Sequence, residues 1–337
     1  MDVDLTMPGP SALAAADRMA RRLGAPDARF LLGVRAGHMG LRSHGRVSAG
    51  GSCRLLAAED GWLAVNLARA SDVEAVGAVV GRSLDGRDPW TALEAHSQTA
   101  TAGDVVERCQ LLGVPAAVLD DPAVRASEAV TTHQIGEPSA PGARTVRPRV
   151  VDLSSMWAGP LCAHLLGRNG MDILKVESRQ RPDGARFGDP AFFGWLHDGH
   201  AELALDFDSA AGRGRLAELV AGADVVIEAS RPRALRQLGV DPADLPGRRQ
   251  GQVWISITGY GRRGARDNWL AFGDDAAVAG GLVARDDAGP AFVADAVADP
   301  LTGLVAADAA LAAWTSGGGV LVEVRMAAVA RMFAEMA

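Results

Sequence analysis

From Arg149 to Met326 the chain alternates between short apolar runs and helical segments. The runs are RVVDLS, DILKVE, AELALDF, DVVIEAS, QVWISIT and GVLVEVRM. Helical patterns fall between them at PLCAHLLGRNG, AAGRGRLAELVAGA, PRALRQLG and DPLTGLVAADAALAAW. Strands joined through helices must lie parallel, because an antiparallel neighbour needs only a tight turn. The pattern predicts an α/β fold: a Rossmann-like, doubly wound parallel sheet over residues 149–337, with ligands at the carboxyl ends of the strands.

The amino-terminal half reads differently. Residues 1–40 hold the helical stretch SALAAADRMARRLGA. Residues 41–130 read as a smaller α+β domain, with a hairpin turning at Asp60-Gly61 and a short strand at VPAAVL. Three helices lie between them, with Ser71, Asp88 and Thr101 as expected N-caps. Residues 131–148 are rich in Pro, Gly, Ser and Thr, a linker composition.

Composition removes several function classes. With 48% hydrophobic and 22% charged residues the chain has the make-up of a soluble globular protein. A net charge of −7 argues against nucleic-acid binding, which needs clustered positive charge. No apolar run reaches membrane-spanning length, and the first residues lack a signal peptide's apolar core. Cys53, Cys109 and Cys162 are scattered, so a reducing cytoplasm is the expected location. Cys162 follows the helix-starting AGP; it reads as a small buried residue, with an acidified thiol as the alternative. None of the seven histidines has metal-ligand spacing. Gly259-Tyr260-Gly261-Arg262-Arg263-Gly264 matches the dinucleotide fingerprint G-x-G-x-x-G. It follows a late strand, and the residues after it, ARDNWLAFGDD, lack helical periodicity. The match is read as chance.

Four segments in order resemble family III CoA-transferases (the CaiB/BaiF family). They are VVDLSSMWAGPLCAHLLGRNGMDILKVE, the block ending in RPRALRQLGV, SITGYG, and DPLTGLVAADAALAAWTSGGGVLVEVRM. SAGGSCRLLAAEDGWLAVNLA and LLGVPAAVL are similar to the family's small domain, which ordinarily follows the large one; here the order is reversed.

The resemblance implies an acyl-CoA transferase with Asp299 as nucleophile. CoA would enter as a substrate with no tightly bound cofactor, a carboxylic acid would accept it, and the protein would form a homodimer. The same resemblance points to Trp157, Ala158, Ser178, Arg179, His200, Arg231, Gln237 and Leu238 as CoA contacts, and to Gly50 and Gly51 in a loop over the site. Formyl-CoA transferase has glutamine at Trp157 and arginine at Ser178, so acyl specificity does not carry over. Read from the residues alone, Asp299-Pro300 is an N-cap with proline at the first helical position. Asp274, Asp275 and Asp295 read as turns and caps. Two alternatives stand beside the transferase. One is a 2-methylacyl-CoA racemase, which needs two bases, although no histidine lies between Gly264 and Asp299. The other is a non-catalytic CoA-ester-binding subunit.

Overall fold

A computed structural model describes residues 4–140 and 147–336. Helices α1 (Pro10–Arg22) and α2 (Ala28–Met39) come first. Strands β1 (Cys53–Ala58) and β2 (Gly61–Asn66) form the expected hairpin. Helices α3 (Ala70–Val79), α4 (Pro89–Ser97) and α5 (Ala102–Leu111) then lead to β3 (Ala116–Val118). These three strands make an antiparallel sheet in the order β1-β2-β3. Asp88 and Thr101 cap α4 and α5 as expected. Ser71 caps nothing: α3 begins two residues earlier than that cap implies, at Ala70, and the Asp72 carboxylate accepts the Arg69 N–H at 2.8 Å.

After β4 (Val130–Gln134) come β5 (Arg149–Asp152), α6 (Ala158–Arg168), β6 (Asp172–Ser178), α7 (Pro190–Leu196) and β7 (Ala201–Leu205). The chain continues through α8 (Ala210–Ala221), β8 (Val225–Glu228), α9 (Pro232–Leu238), β9 (Val253–Thr258) and α10 (Gly273–Ala279). A small hairpin, β10 (Ala284–Asp286) and β11 (Gly289–Ala291), precedes α11 (Ala298–Thr315), β12 (Val320–Arg325) and α12 (Met326–Ala334).

The large sheet has seven strands in the order β4-β12-β9-β8-β5-β6-β7, parallel except for β4. Strands β5, β6 and β7 run to one side, and β8, β9 and β12 to the other. The winding therefore reverses between β5 and β8, the place where ligands bind in doubly wound sheets. Strand β4 lies inside the segment whose composition reads as linker. Val130 and two β-branched threonines pair with Val324, Glu323 and Val322, and this edge pairing outweighs the turn-rich composition. Residues 141–146 of that segment lie outside the described residues. No helix follows Gly264 until Gly273, consistent with a chance match to the dinucleotide fingerprint. Among the described residues no helix is long and apolar enough to cross a membrane.

The amino-terminal helices share the main core. Ala12, Ala16, Leu31, Leu32 and Val34 pack with Leu161, Leu165, Leu301 and Leu304 of α6 and α11. Arg22 of α1 also pairs with Asp308 of α11 at 2.9 Å. The β1–β2 hairpin buries Cys53, Leu55 and Ala64 against Val278 of α10 and Phe292. Leu216, Val220 and Leu235 cover the other face of the large sheet. Cys162 is fully buried, and loss of hydration pushes its thiol well up, so the buried-residue reading is the one realised.

Helices α6 and α11 cross closely at Gly303. A Cβ there would stand 2.8 Å from the Ala158 carbonyl oxygen and 2.9 Å from Leu161 Cβ. Backbone and a core side chain cannot yield cheaply. Gly303→Ala is expected to cost about 1–3 kcal/mol, read as a lower urea midpoint with unchanged slope.

Candidate active site

A cavity of about 200 Å³ opens at the winding reversal. Its walls come from the carboxyl ends of four strands: Met156 and Ala158 after β5, Arg231 after β8, Gly259 after β9 and Met326 after β12. Asp299 reaches it from the first turn of α11. Helix α11 begins at Ala298 with Val297 at the cap position, so Asp299 lies inside the helix and does not cap it. The expected capping role is corrected: the helix starts two residues earlier, after a turn through Ala294 and Ala296 at φ of 51° and 44°. Left-handed backbone at non-glycine residues is strained, and such strain tends to collect at functional sites. Met156, on the opposite wall, is left-handed too, at φ 73°.

Three more carboxylates surround Asp299. Asp274 and Asp275 start α10, and Asp295 precedes α11; all three are buried. The Asp274 carboxylate accepts the Ala296 N–H at 3.1 Å. The Asp275 carboxylate accepts from Phe272 N–H and from Asn66 Nδ2, both at 3.1 Å. Asp295 receives both faces of the Arg35 guanidinium, with Nε at 2.7 Å. Reading these three residues as ordinary caps and turns captures the Asp275 contact with Phe272 but not their burial.

Burial governs their ionisation. Loss of hydration pushes Asp299 up to about 7. The charges of Asp274 and Asp295 add to this, while Arg35 and the Gly273 N–H oppose it. Burial likewise pushes Asp274 up to about 6, with Asp295 adding. It pushes Asp275 to about 8 against its hydrogen bonds from Asn66 and Phe272. Burial disfavours the Arg35 charge, yet its hydrogen bonds and pairing with Asp295 outweigh that and raise its pKa. Of the four carboxylates, Asp299 is the half-buried one and the one that meets the cavity, whose wall also carries Asp267. Gly273 permits the arrangement: a Cβ there would lie 2.6 Å from Asp299 Oδ2 and 2.3 Å from the Ala296 carbonyl oxygen.

The residues singled out by resemblance fall into groups. Ala158, Arg231 and Asp299 share the cavity. Gly50 lies beside the cluster, where a Cβ on it would stand 3.4 Å from Arg35 Nη2. Gly51 closes the same loop by donating its N–H to the Ser48 carbonyl at 2.8 Å. Ser178 and Arg179 sit at the carboxyl end of β6, outside the cavity wall; Arg179 is exposed and donates to the Ala204 carbonyl. Trp157 points into the core, edge-on to Phe192 with Arg35 over its ring at 5.4 Å. Gln237 is exposed at the far end of α9, and Leu238 packs on the sheet. His200 belongs to a cluster with His164 and His197. Burial, with the neighbouring histidines and Lys175, pushes it down to about 3, so at neutral pH it offers a phosphate no charge.

Arg35 and Asn66 were not singled out by sequence reasoning. Arg35 left one signal: it is a lone charge in FLLGVRAG, flanked by residues with helical apolar spacing. Asn66, ending a strand, left none.

Asp275 gives a pH prediction. Its folded value lies above its ordinary value of 3.8. Its contribution to stability is therefore full below that ordinary value and is lost as pH rises through about 8. Asp275→Asn should flatten the fall in urea midpoint between pH 5 and pH 8. An unchanged slope would mean the group is ionised throughout.

The sequence profile of CoA-transferase family III matches residues 148–337. Succinyl-CoA–D-citramalate CoA-transferase of Chloroflexus aurantiacus is 28% identical over 190 residues, 52% of this chain and 47% of that one. Succinate–glutarate CoA-transferase of Agrobacterium fabrum is 28% identical over 183 residues, 49% of this chain and 45% of that one. The chain spans less than half the length of these relatives. The crystal structure of a CAIB/BAIF family protein from Brucella suis superposes with a TM-score of 0.50 at 27% identity, covering 55% of this chain and 53% of that one. Rv3272 from Mycobacterium tuberculosis gives a TM-score of 0.51 at 28% identity, covering 58% and 56%. With more than half its residues under the family profile and the doubly wound sheet in place, this chain belongs to CoA-transferase family III.

Proposed function

We propose that the protein moves CoA from an acyl-CoA donor to a carboxylic acid acceptor, with Asp299 as covalent carrier. The observation that carries this reading is a half-buried carboxylate in the first turn of α11, lining the cavity at the winding reversal. An Asp299 oxygen attacks the thioester carbonyl; the C–S bond breaks, leaving an acyl–aspartyl anhydride and CoA thiolate. The thiolate attacks Asp299 Cγ, the donor acid departs, and an aspartyl-CoA thioester remains. The acceptor carboxylate attacks Cγ and expels the thiolate. That thiolate then takes the acceptor's carbonyl, and the Asp299 carboxylate is restored. No proton or electron is consumed.

The α6 and α11 amino termini favour negative charge at the cavity. The Gly51 N–H is taken by the Ser48 carbonyl, which leaves the Gly50 N–H of that loop as the proposed donor to the tetrahedral oxyanions. Arg231, with Ala158 against the thioester end, and Ser178 and Arg179 along the carboxyl edge are the proposed CoA contacts. The cavity holds an acyl thioester and leaves the nucleotide outside. The names of the relatives point to dicarboxylic acids as the first substrates to try.

The racemase reading needs a second base facing the α-carbon. The cavity wall carries Asp267 as well as Asp299 but, among the described residues, no histidine to complete a His–Asp pair, which favours transfer. Deuterium wash-in at the α-carbon of 2-methylacyl-CoA without an acceptor acid would reverse that preference. Succinyl-CoA with hydroxylamine should leave a hydroxamate on Asp299, read by peptide mass spectrometry. Asp299→Asn should lower CoA transfer by roughly three orders of magnitude. Full turnover in that variant, or trapping at another residue, would refute the assignment.

A further inference from the structure

Arg35 lies on α2, outside the segment matched by the family profile, yet it ends among the carboxylates of α10 and α11. Its bidentate pair with Asp295 spans 260 positions of sequence. Asp295 is fully buried and stands between the two left-handed alanines that lead the chain into α11. Trp157, at the amino end of α6, supports the guanidinium, and the loop at Gly50 passes beside it. Arg35 is thus held from three sides, and what it holds is the turn that presents Asp299.

We propose that Arg35 is the positioning residue for Asp299: its pair with Asp295 fixes the turn into α11, and its charge keeps Asp299 available as a carboxylate. The inference rests on Asp299 being the nucleophile. The amino-terminal segment thereby supplies a part of the site that the matched segment does not contain. Asp295 is committed to Arg35, and Asp274 is held by the Ala296 N–H and by the hydroxyl of Ser48. Asp275 faces Asn66 and Phe272. Arg231 and Asp267 are the remaining charged groups on the cavity wall. The Arg35 charge favours the Asp299 carboxylate, while Asp274 and Asp295 act in the opposite sense.

The test reads Asp299 without requiring turnover. The full chain is labelled with [4-13C]aspartate, and the Asp299 carboxyl signal is assigned by its loss in Asp299→Asn. Arg35→Met should raise its titration midpoint by about one pH unit, a roughly tenfold change in proton affinity. Arg35→Lys should restore most of the wild-type value. Asp295→Asn should shift the midpoint the other way, since it removes a negative neighbour and leaves Arg35 unpaired. Arg22→Met breaks an ion pair between α1 and α11 away from the cavity and should leave the midpoint unchanged. A purely structural role for Arg35 would not produce opposite shifts in Arg35→Met and Asp295→Asn. If Arg35→Met does not fold, the sign in Asp295→Asn decides. An unmoved or raised midpoint there, or an unmoved one in Arg35→Met, overturns the inference. Absence of a hydroxamate in the wild type would instead refute Asp299 as carrier while leaving these midpoints to stand on their own.

Discussion

Four carboxylates and one guanidinium share a nearly dry space where α2, α10 and α11 meet. Two like charges about 4 Å apart repel by about 4 kcal/mol at an effective dielectric of about 20. A single arginine cannot offset that repulsion for all four. The groups divide the problem according to their surroundings. Asp295 takes the ion pair, while burial pushes Asp275 furthest toward the neutral form, and Asp274 and Asp299 stay poised between. Of these, the one that meets the cavity is Asp299. Reactivity there is a consequence of where each carboxylate is allowed to keep its charge.

Backbone packing enforces this division. The glycine at 303 brings α6 against α11, so that Ala158 and Asp299 face one cavity. The glycine at 273 brings α10 against the turn at Ala296, so that its N–H reaches Asp299. The β1–β2 hairpin and α2 then close the space from the other side and bring Asn66, the Ser48 loop and Arg35. Both halves of the chain contribute to one core and to the cluster around Asp299.

The doubly wound sheet is legible in sequence because most of its strands are compact apolar runs, and helical patterns fall between several of them. DVVIEAS and QVWISIT are adjacent strands β8 and β9, as their alternation implies. Strand β4 is not legible: TTH borrows its order from Glu323, Val322 and Leu321, nearly two hundred positions away. Helix α10 is hidden for a related reason. GDDAAVA is buried all round and carries two aspartates, so it shows no amphipathic stripe. Asp299 was reachable through the resemblance, but its neighbours were not. Nothing local marks Asp275 as a partner of Asn66 or Asp295 as a partner of Arg35, because each pairing exists only after the two halves dock.

The central claim is that Asp299 carries the acyl group and then CoA, and the fate of oxygen tests it most directly. Succinyl-CoA and succinate labelled with 18O in its carboxylates would be turned over by the full chain, and the Asp299 peptide weighed. The first turnover should replace one Asp299 oxygen with one from the acceptor, a gain of about 2 Da that rises toward about 4 Da as turnovers repeat. CoA transfer with no label in that peptide would contradict the carrier role.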